Sequence, residues 1–179
     1  AVAAAADLPF YVYNLPQSTG VEVTPELMKK IADQVPQLAG LKHSSVNFAN
    51  VREWKKMGLN CFIGSSMLMV PALTIGAAGC IDGPPCAAPE LWVDIWKAWQ
   101  SGDIDQAIAA QDRASSFTDI MRTVGVHSGT KAVLTERLGI DCGSGRLPNP
   151  PLEGARRAEV LSLVSAMGIG PVPIPSSGD

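Results

Sequence analysis

Charge is scarce in this 179-residue chain: Asp, Glu, Lys and Arg make up 17% of it, with 14 basic residues against 17 acidic ones. No basic block forms. Only the pairs Lys29-Lys30, Lys55-Lys56 and Arg156-Arg157 occur, so the electrostatic footprint of a nucleic-acid-binding protein is missing. Histidine is scarcer still, at two residues, and none of the four cysteines belongs to a C-x-x-C pair, which argues against a zinc site. No Ser-His-Asp arrangement, phosphate-binding P-loop or dinucleotide glycine motif is found. No apolar run reaches the roughly 18 residues that a bilayer span needs, and no membrane contact is expected. Residues 1–6 are apolar but lack the charged start of a secretory leader. Cys61 and Cys80 sit in short apolar runs and read as buried free thiols of a reducing, cytoplasmic setting.

What the chain does have is a hydrophobic fraction of 46%, enough for a globular core. Its apolar residues are arranged in short runs. Residues 10–14, Phe-Tyr-Val-Tyr-Asn, are aromatic and β-branched between Pro9 and Pro16, as in a short buried strand. Similar runs begin near residues 38, 61 and 78, each followed by a segment with helical spacing. Thr24-Pro25-Glu26 carries the marks of a helix start, with Leu27, Ile31 and Val35 as its apolar stripe. Residues 66–75 predict an apolar helix made irregular by Pro71. Residues 1–6 read as the last turns of a helix, and 16–20 as a loop. From residue 89 onward the pattern is helical over 89–100, 103–124, 130–138 and 155–167, with a proline-rich loop at 146–154. Trp92, Trp96 and Trp99 share one helical face, read as core or interface.

Short strands alternating with helices predict parallel β/α units. Four such units make either half of a (β/α)8 barrel or a small open α/β sheet. A complete barrel typically takes about 250 residues, and this chain of 179 is short for one. Four strands would also leave two open edges, which a homo-oligomer or a complementing half-barrel would close.

Lys42 stands out at the end of the second run, directly after Ala39-Gly40-Leu41. In β/α barrels the strand C-terminal ends form the active face. An amine there loses hydration, which disfavours the ammonium form, and the neutral amine is the species that condenses with a carbonyl. A strand-end lysine can equally run its methylenes along the surface and keep its head in water. Tyr13 ends the neighbouring run, where a phenol could relay a proton or simply be a satisfied core tyrosine. Ser18, Thr19 and Gly20 lie in the loop after it. Ser44 and Ser65 add hydroxyls on the same rim, and Gly64 and Gly83 permit close backbone approach or merely shape turns. Asp82 could contact substrate or cap a turn. His43, next to Lys42, alternates to the opposite face and reads as structural, while His127 reads as a cap or surface residue.

Taken together these residues resemble one known family. Tyr13-Asn14-Leu15-Pro16-x-x-Thr19-Gly20 and Gly40-Leu41-Lys42-x-Ser44 resemble, in order and spacing, the two signature segments of the dihydrodipicolinate synthase/N-acetylneuraminate lyase family. Gly64, the run Ala77-Ala78-Gly79-Cys80-Ile81 and the helices from Pro89 follow its later strands and C-terminal helices. Gly125-Val126-x-x-Gly129-x-Lys131 resembles the lyase branch. The resemblance runs from Leu8 to about residue 165. It implies strands 5–8 of a (β/α)8 TIM barrel over residues 1–125, a C-terminal helical region over 126–167 and a flexible tail over 168–179.

The resemblance also implies a class I pyruvate-dependent aldolase, a carbon–carbon lyase. Lys42 would form the imine with pyruvate or another 2-oxo acid, Tyr13 would relay protons, and Ser18, Thr19, Ser44, Gly64, Ser65, Asp82 and Gly83 would line the pocket. No cofactor is expected, because the imine itself is the electron sink. In the synthase branch an arginine stands where this chain has Ser18, so dihydrodipicolinate synthesis becomes the alternative. Ser65-Ser66-Met67 departs from the more acidic or polar sialic-acid lyase pattern, which leaves a 2-keto-3-deoxy-sugar-acid aldolase or a related pyruvate lyase open. The family's pyruvate-carboxylate loop, G-x-T-G-E, has no match here. A non-catalytic scaffold fragment of the same fold is therefore a further alternative.

Overall fold

The computed structural model describes residues 2–172. One compact unit ends at Asp82 and a second begins at Gly83, whereas the family pattern drew its boundary after residue 125.

The first unit carries a sheet of four parallel strands in sequential order: β1 (Phe10–Asn14), β2 (Leu38–His43), β3 (Asn60–Ile63) and β4 (Gly79–Cys80). A turn of 3-10 helix (Ala3–Ala5) precedes β1, in place of the α-helical end expected over residues 1–6. Helix α1 (Pro16–Thr19) is a single turn where a loop was expected, and Gly20 ends it in the left-handed region at φ 70°. The N–H of Gly20 closes the turn onto the Pro16 carbonyl at 2.8 Å. Helix α2 (Pro25–Gln34) starts as anticipated. The Thr24 hydroxyl accepts from the Leu27 N–H at 3.2 Å, and Pro25 occupies the first helical position. Its fully buried residue is Met28, with Leu27, Ile31 and Val35 only half-buried.

Helix α3 (Val51–Lys56) and helix α4 (Met69–Thr74) follow β2 and β3. A 3-10 turn (Ser66–Leu68) leads into α4, the irregular start expected of a helix with Pro71 close behind. The core of this unit lies on one face of the sheet. Leu41, Cys61 and Ile63 from the strands meet Met28, Val51, Trp54 and Ala72 from the helices. That face takes alternate strand residues, so the others, Tyr11, Tyr13, Gly40, Lys42 and Phe62, stand on the opposite face. Gly40 is required there: a Cβ would run into the Asn60 carbonyl oxygen and the Tyr11 ring. Tyr11 and Phe62 meet across the gap with ring centroids 5.9 Å apart.

Helices α5 (Pro89–Ser101), α6 (Ile104–Arg122), α7 (Val126–Leu138) and α8 (Gly154–Ala166) make up the second unit. Leu91, Trp92, Ile95 and Ala98 form the buried face of α5, and Phe117 of α6 meets Trp92 edge-on at 6.2 Å. Trp96 falls off that face and is exposed, because a step of four from Trp92 overshoots the narrow buried stripe centred on Ile95. Helix α7 begins four residues before the expected 130, and His127 is exposed in its first turn. Arg137 gathers the unit's ends: it pairs with Glu90 at 2.6 Å and donates to the carbonyls of Ala87 and Gly170. Ile169 is buried, and the Val172 N–H donates to the Arg137 carbonyl at 2.8 Å. The flexible tail expected from residue 168 is therefore anchored through Val172, and residues 173–179 lie outside the described ones. Among the described residues no helix is long and apolar enough to cross a membrane.

Candidate active site

Parallel pairing sets Tyr13 opposite Lys42 and Asn14 opposite His43 on β1 and β2. Side chains alternate along each strand. Tyr13 and Lys42 consequently share one face, and Asn14 and His43 share the other. Lys42 Nζ lies 4.3 Å from the centroid of the Tyr13 ring, within cation–π range. The Tyr13 phenol ionises below its ordinary value. Its partial burial works against ionisation, but the Ser44 hydroxyl and the Lys42 amine beside it favour the phenolate and prevail, with the Asp82 charge opposing them.

Ser44 reaches this spot because residue 64 is glycine. A Cβ there would collide with the Ser44 side chain, so Gly64 yields its space to that hydroxyl. Asp82 caps the 3-10 turn after β3, accepting from the Ser66 N–H at 2.9 Å. Thr19 bonds within its own turn, donating to the carbonyls of Leu15 and Val21 at 3.0 and 3.1 Å. Ser18 is exposed on the same turn, which Gln17 ties to β2's exit by donating to the Ser44 carbonyl at 3.0 Å. Ser65 is half-buried at the end of β3. Gly83 belongs to the helical unit, with Val126 Cγ1 3.0 Å from where its Cβ would stand.

Thus Tyr13, Lys42, Ser44 and Gly64 converge at three adjacent strand ends, and Ser18 and Thr19 stay on the turn beyond them. The dry setting expected for the amine is not supplied by this unit's own helices, which pack against the opposite face. Tyr13 is 49% exposed and Lys42 is half-buried. Burial pushes the Cys61 and Cys80 thiols up to about 12, so neither offers a thiolate near neutral pH. Among the described residues no group of three or more His, Cys, Asp and Glu could hold a metal ion.

Beneath this open pair lies a polar network that the sequence reading missed. Asn14 and His43 are both fully buried. Asn14 Nδ2 donates to Glu22 Oε1 at 3.0 Å and lies 3.2 Å from His43 Nδ1, while Asn14 Oδ1 accepts from the Val23 N–H at 3.0 Å. His43 Nε2 faces the Asn47 carbonyl at 3.1 Å. These partners assign a neutral imidazole with its proton on Nε2 and Nδ1 accepting. Burial holds His43 below its ordinary value, in agreement with that assignment. Glu22 Oε2 accepts from Ser45 Oγ at 2.8 Å, and Ser45 Oγ in turn accepts from the Asn47 N–H at 3.0 Å. Desolvation alone would raise the Glu22 carboxyl, but the hydrogen bonds from Asn14 and Ser45 bring it below its ordinary value.

Parallel strand ends bearing an amine and a phenol lie where β/α barrels carry their active face. The model of the dihydrodipicolinate synthetase family matches residues 1–167, and the chain belongs to that family. An uncharacterized DapA-like lyase of Halobacterium salinarum is 33% identical over 170 residues, 94% of this chain and 55% of that protein. The wild-type sialic acid aldolase of Ruminococcus gnavus superposes with a TM-score of 0.83 at 26% identity, over 92% of this chain and 56% of that one. YagE, a prophage protein of the dihydrodipicolinic acid synthase family from E. coli K12 solved in complex with pyruvate, superposes with a TM-score of 0.80 at 24% identity, over 94% of this chain and 59% of that one. The chain spans somewhat over half the length of each. Its parallel sheet with C-terminal helices is part of the (β/α)8 barrel fold of these neighbours.

Proposed function

We propose that this chain carries the imine-forming lysine and the proton-relaying phenol of a pyruvate-dependent aldolase or lyase. The observation that carries the reading is the Lys42 amine 4.3 Å from the Tyr13 ring centroid at adjacent strand ends. In the proposed reaction the neutral Lys42 amine adds to the C2 ketone of a 2-oxo acid, the carbinolamine hydroxyl takes up a proton and leaves as water, and a protonated imine remains. In the cleavage direction the C3–C4 bond breaks and its electron pair moves into the imine. An enamine forms, the C4 hydroxyl gives up its proton and an aldehyde departs. Protonation at C3 and hydrolysis then release pyruvate and restore the amine. Tyr13, whose phenol ionises more readily than an ordinary one, takes and returns the proton in these steps.

A 2-keto-3-deoxy sugar acid, or the 2-oxo acid of a related pyruvate lyase, is the substrate class we favour over the dihydrodipicolinate route. Ser18 carries no charge to hold the carboxylate of a second, acidic substrate. The half-exposed Tyr13 points to a complementing half-barrel, in the same polypeptide or a second one, as the source of the pocket's remaining wall. Borohydride reduction in the presence of pyruvate tests the reading. A covalent adduct on Lys42 that disappears in Lys42→Ala is expected. An unmodified Lys42 at saturating pyruvate, with the complementing half supplied, would leave only a scaffold of the same fold.

A further inference from the structure

We propose that Glu22 is a positioning residue: its carboxylate ties the end of β1, through Asn14, to the exit of β2, through Ser45, and so sets how Tyr13, Lys42 and Ser44 meet. This rests on the lyase reading above and names the part of the molecule that holds that site in register.

The geometry carries the inference. Asn14 immediately follows Tyr13, and Ser45 immediately follows Ser44. The two oxygens of one carboxylate each accept from one of these residues, at 3.0 and 2.8 Å. His43 completes the tie: it sits between Lys42 and Ser44, accepts from Asn14 and donates to the Asn47 carbonyl. Because neighbouring side chains on a strand point to opposite faces, clamping Asn14 and His43 from below fixes the roll of each strand end. The direction in which Tyr13 and Lys42 rise follows from that roll. Buried and fully satisfied polar networks hold one geometry more strictly than apolar contacts do. A carboxylate is needed at position 22 because both groups aimed at it are donors. An amide would turn its NH2 toward one of them.

The test uses the full chain with [13Cζ]tyrosine. The chain has two tyrosines, Tyr11 and Tyr13, so Tyr13→Phe assigns the signals. The charged and polar groups that act on the Tyr13 phenol are Lys42, Ser44 and Asp82. In Glu22→Gln the phenol should titrate closer to an ordinary one than in the parent, and Glu22→Asp should recover part of the difference. Ser45→Ala severs one end of the tie without removing the charge and should move the phenol the same way. It also serves if Glu22→Gln fails to fold. In parallel, imine formation at saturating pyruvate should slow on the order of tenfold in Glu22→Gln with half-saturation unchanged, as expected when reacting groups are misplaced and binding is kept. An unchanged Tyr13 titration in folded Glu22→Gln or Ser45→Ala overturns the proposal. A shifted titration in a protein whose Lys42 never traps pyruvate upholds the tie and overturns the lyase reading instead.

Discussion

Tyr13 and Lys42 on one side of the sheet, and Asn14 and His43 on the other, are sequence neighbours with opposite circumstances. The first pair stands in the open, with Tyr13 half exposed and its amine partner within cation–π distance. The second pair is sealed, and its polar atoms meet Glu22, Val23 and Asn47. One residue of displacement along a strand separates an exposed face from a sealed one. Chemistry and rigidity ask for different things of a side chain. A reacting group needs an accessible atom, and a positioning group needs every polar atom partnered. Adjacent positions on two strands satisfy both.

That contrast can be broken from either side. The largest effect falls on the open face: Lys42→Ala should abolish borohydride-dependent labelling by pyruvate, read by intact mass. Its unfolding free energy in urea titration should stay within about 0.5 kcal/mol of the parent, as for surface substitutions generally. On the sealed face the balance reverses. Asn14→Ala strips Val23 N–H and His43 Nδ1 of their partner and should lower stability by about 2–3 kcal/mol in urea titration, in line with buried groups left unpaired. Tyr13→Phe sharpens the comparison, since it keeps the ring beneath the amine and removes only the hydroxyl. Imine formation should slow by roughly a hundredfold, as for loss of a general acid–base group, with little change in unfolding. Acid should produce the smallest effect. His43 and Glu22 both titrate below their ordinary values of 6.5 and 4.5. The unfolded chain therefore binds more protons than the folded one in those windows. Their contribution to stability is full above 6.5, and it declines as pH falls, first through His43 and then through Glu22. Thermal melts from pH 8 down to 4 should show the His43 part of this decline disappear in His43→Gln.

Much of the fold was legible in the residues. The first strand at 10–14 is bounded by prolines and built of aromatic and β-branched side chains, and it was located to the residue. The Thr24-Pro25 helix start was equally plain, since capping is a property of four consecutive residues. Legibility failed where tertiary packing overrode local pattern. Met28, not Leu27 or Ile31, became the buried anchor of α2, because the sheet decides which side of the helix is covered. Residues 168–172 look like a disordered tail by composition, yet they are held by Arg137, more than thirty residues earlier. The site divided in the same way. Lys42 and Tyr13 could be picked out by their places at strand ends and by two spaced motifs. Glu22 and Ser45 could not, because nothing local says that a carboxylate after one strand will meet a hydroxyl after the next.

The order of the amino acids was enough to establish four parallel β/α units, the helices that follow them and the lysine and phenol at two strand ends. Those features rest on propensities and periodicities that span a few residues. The pairing of Tyr13 with Lys42, the burial of His43 against Asn14 across 29 positions of chain and the closure of both strands by one carboxylate belong to the folded molecule. Register and hydrogen-bond partnership arise only when distant segments share one core, and no stretch of sequence contains them.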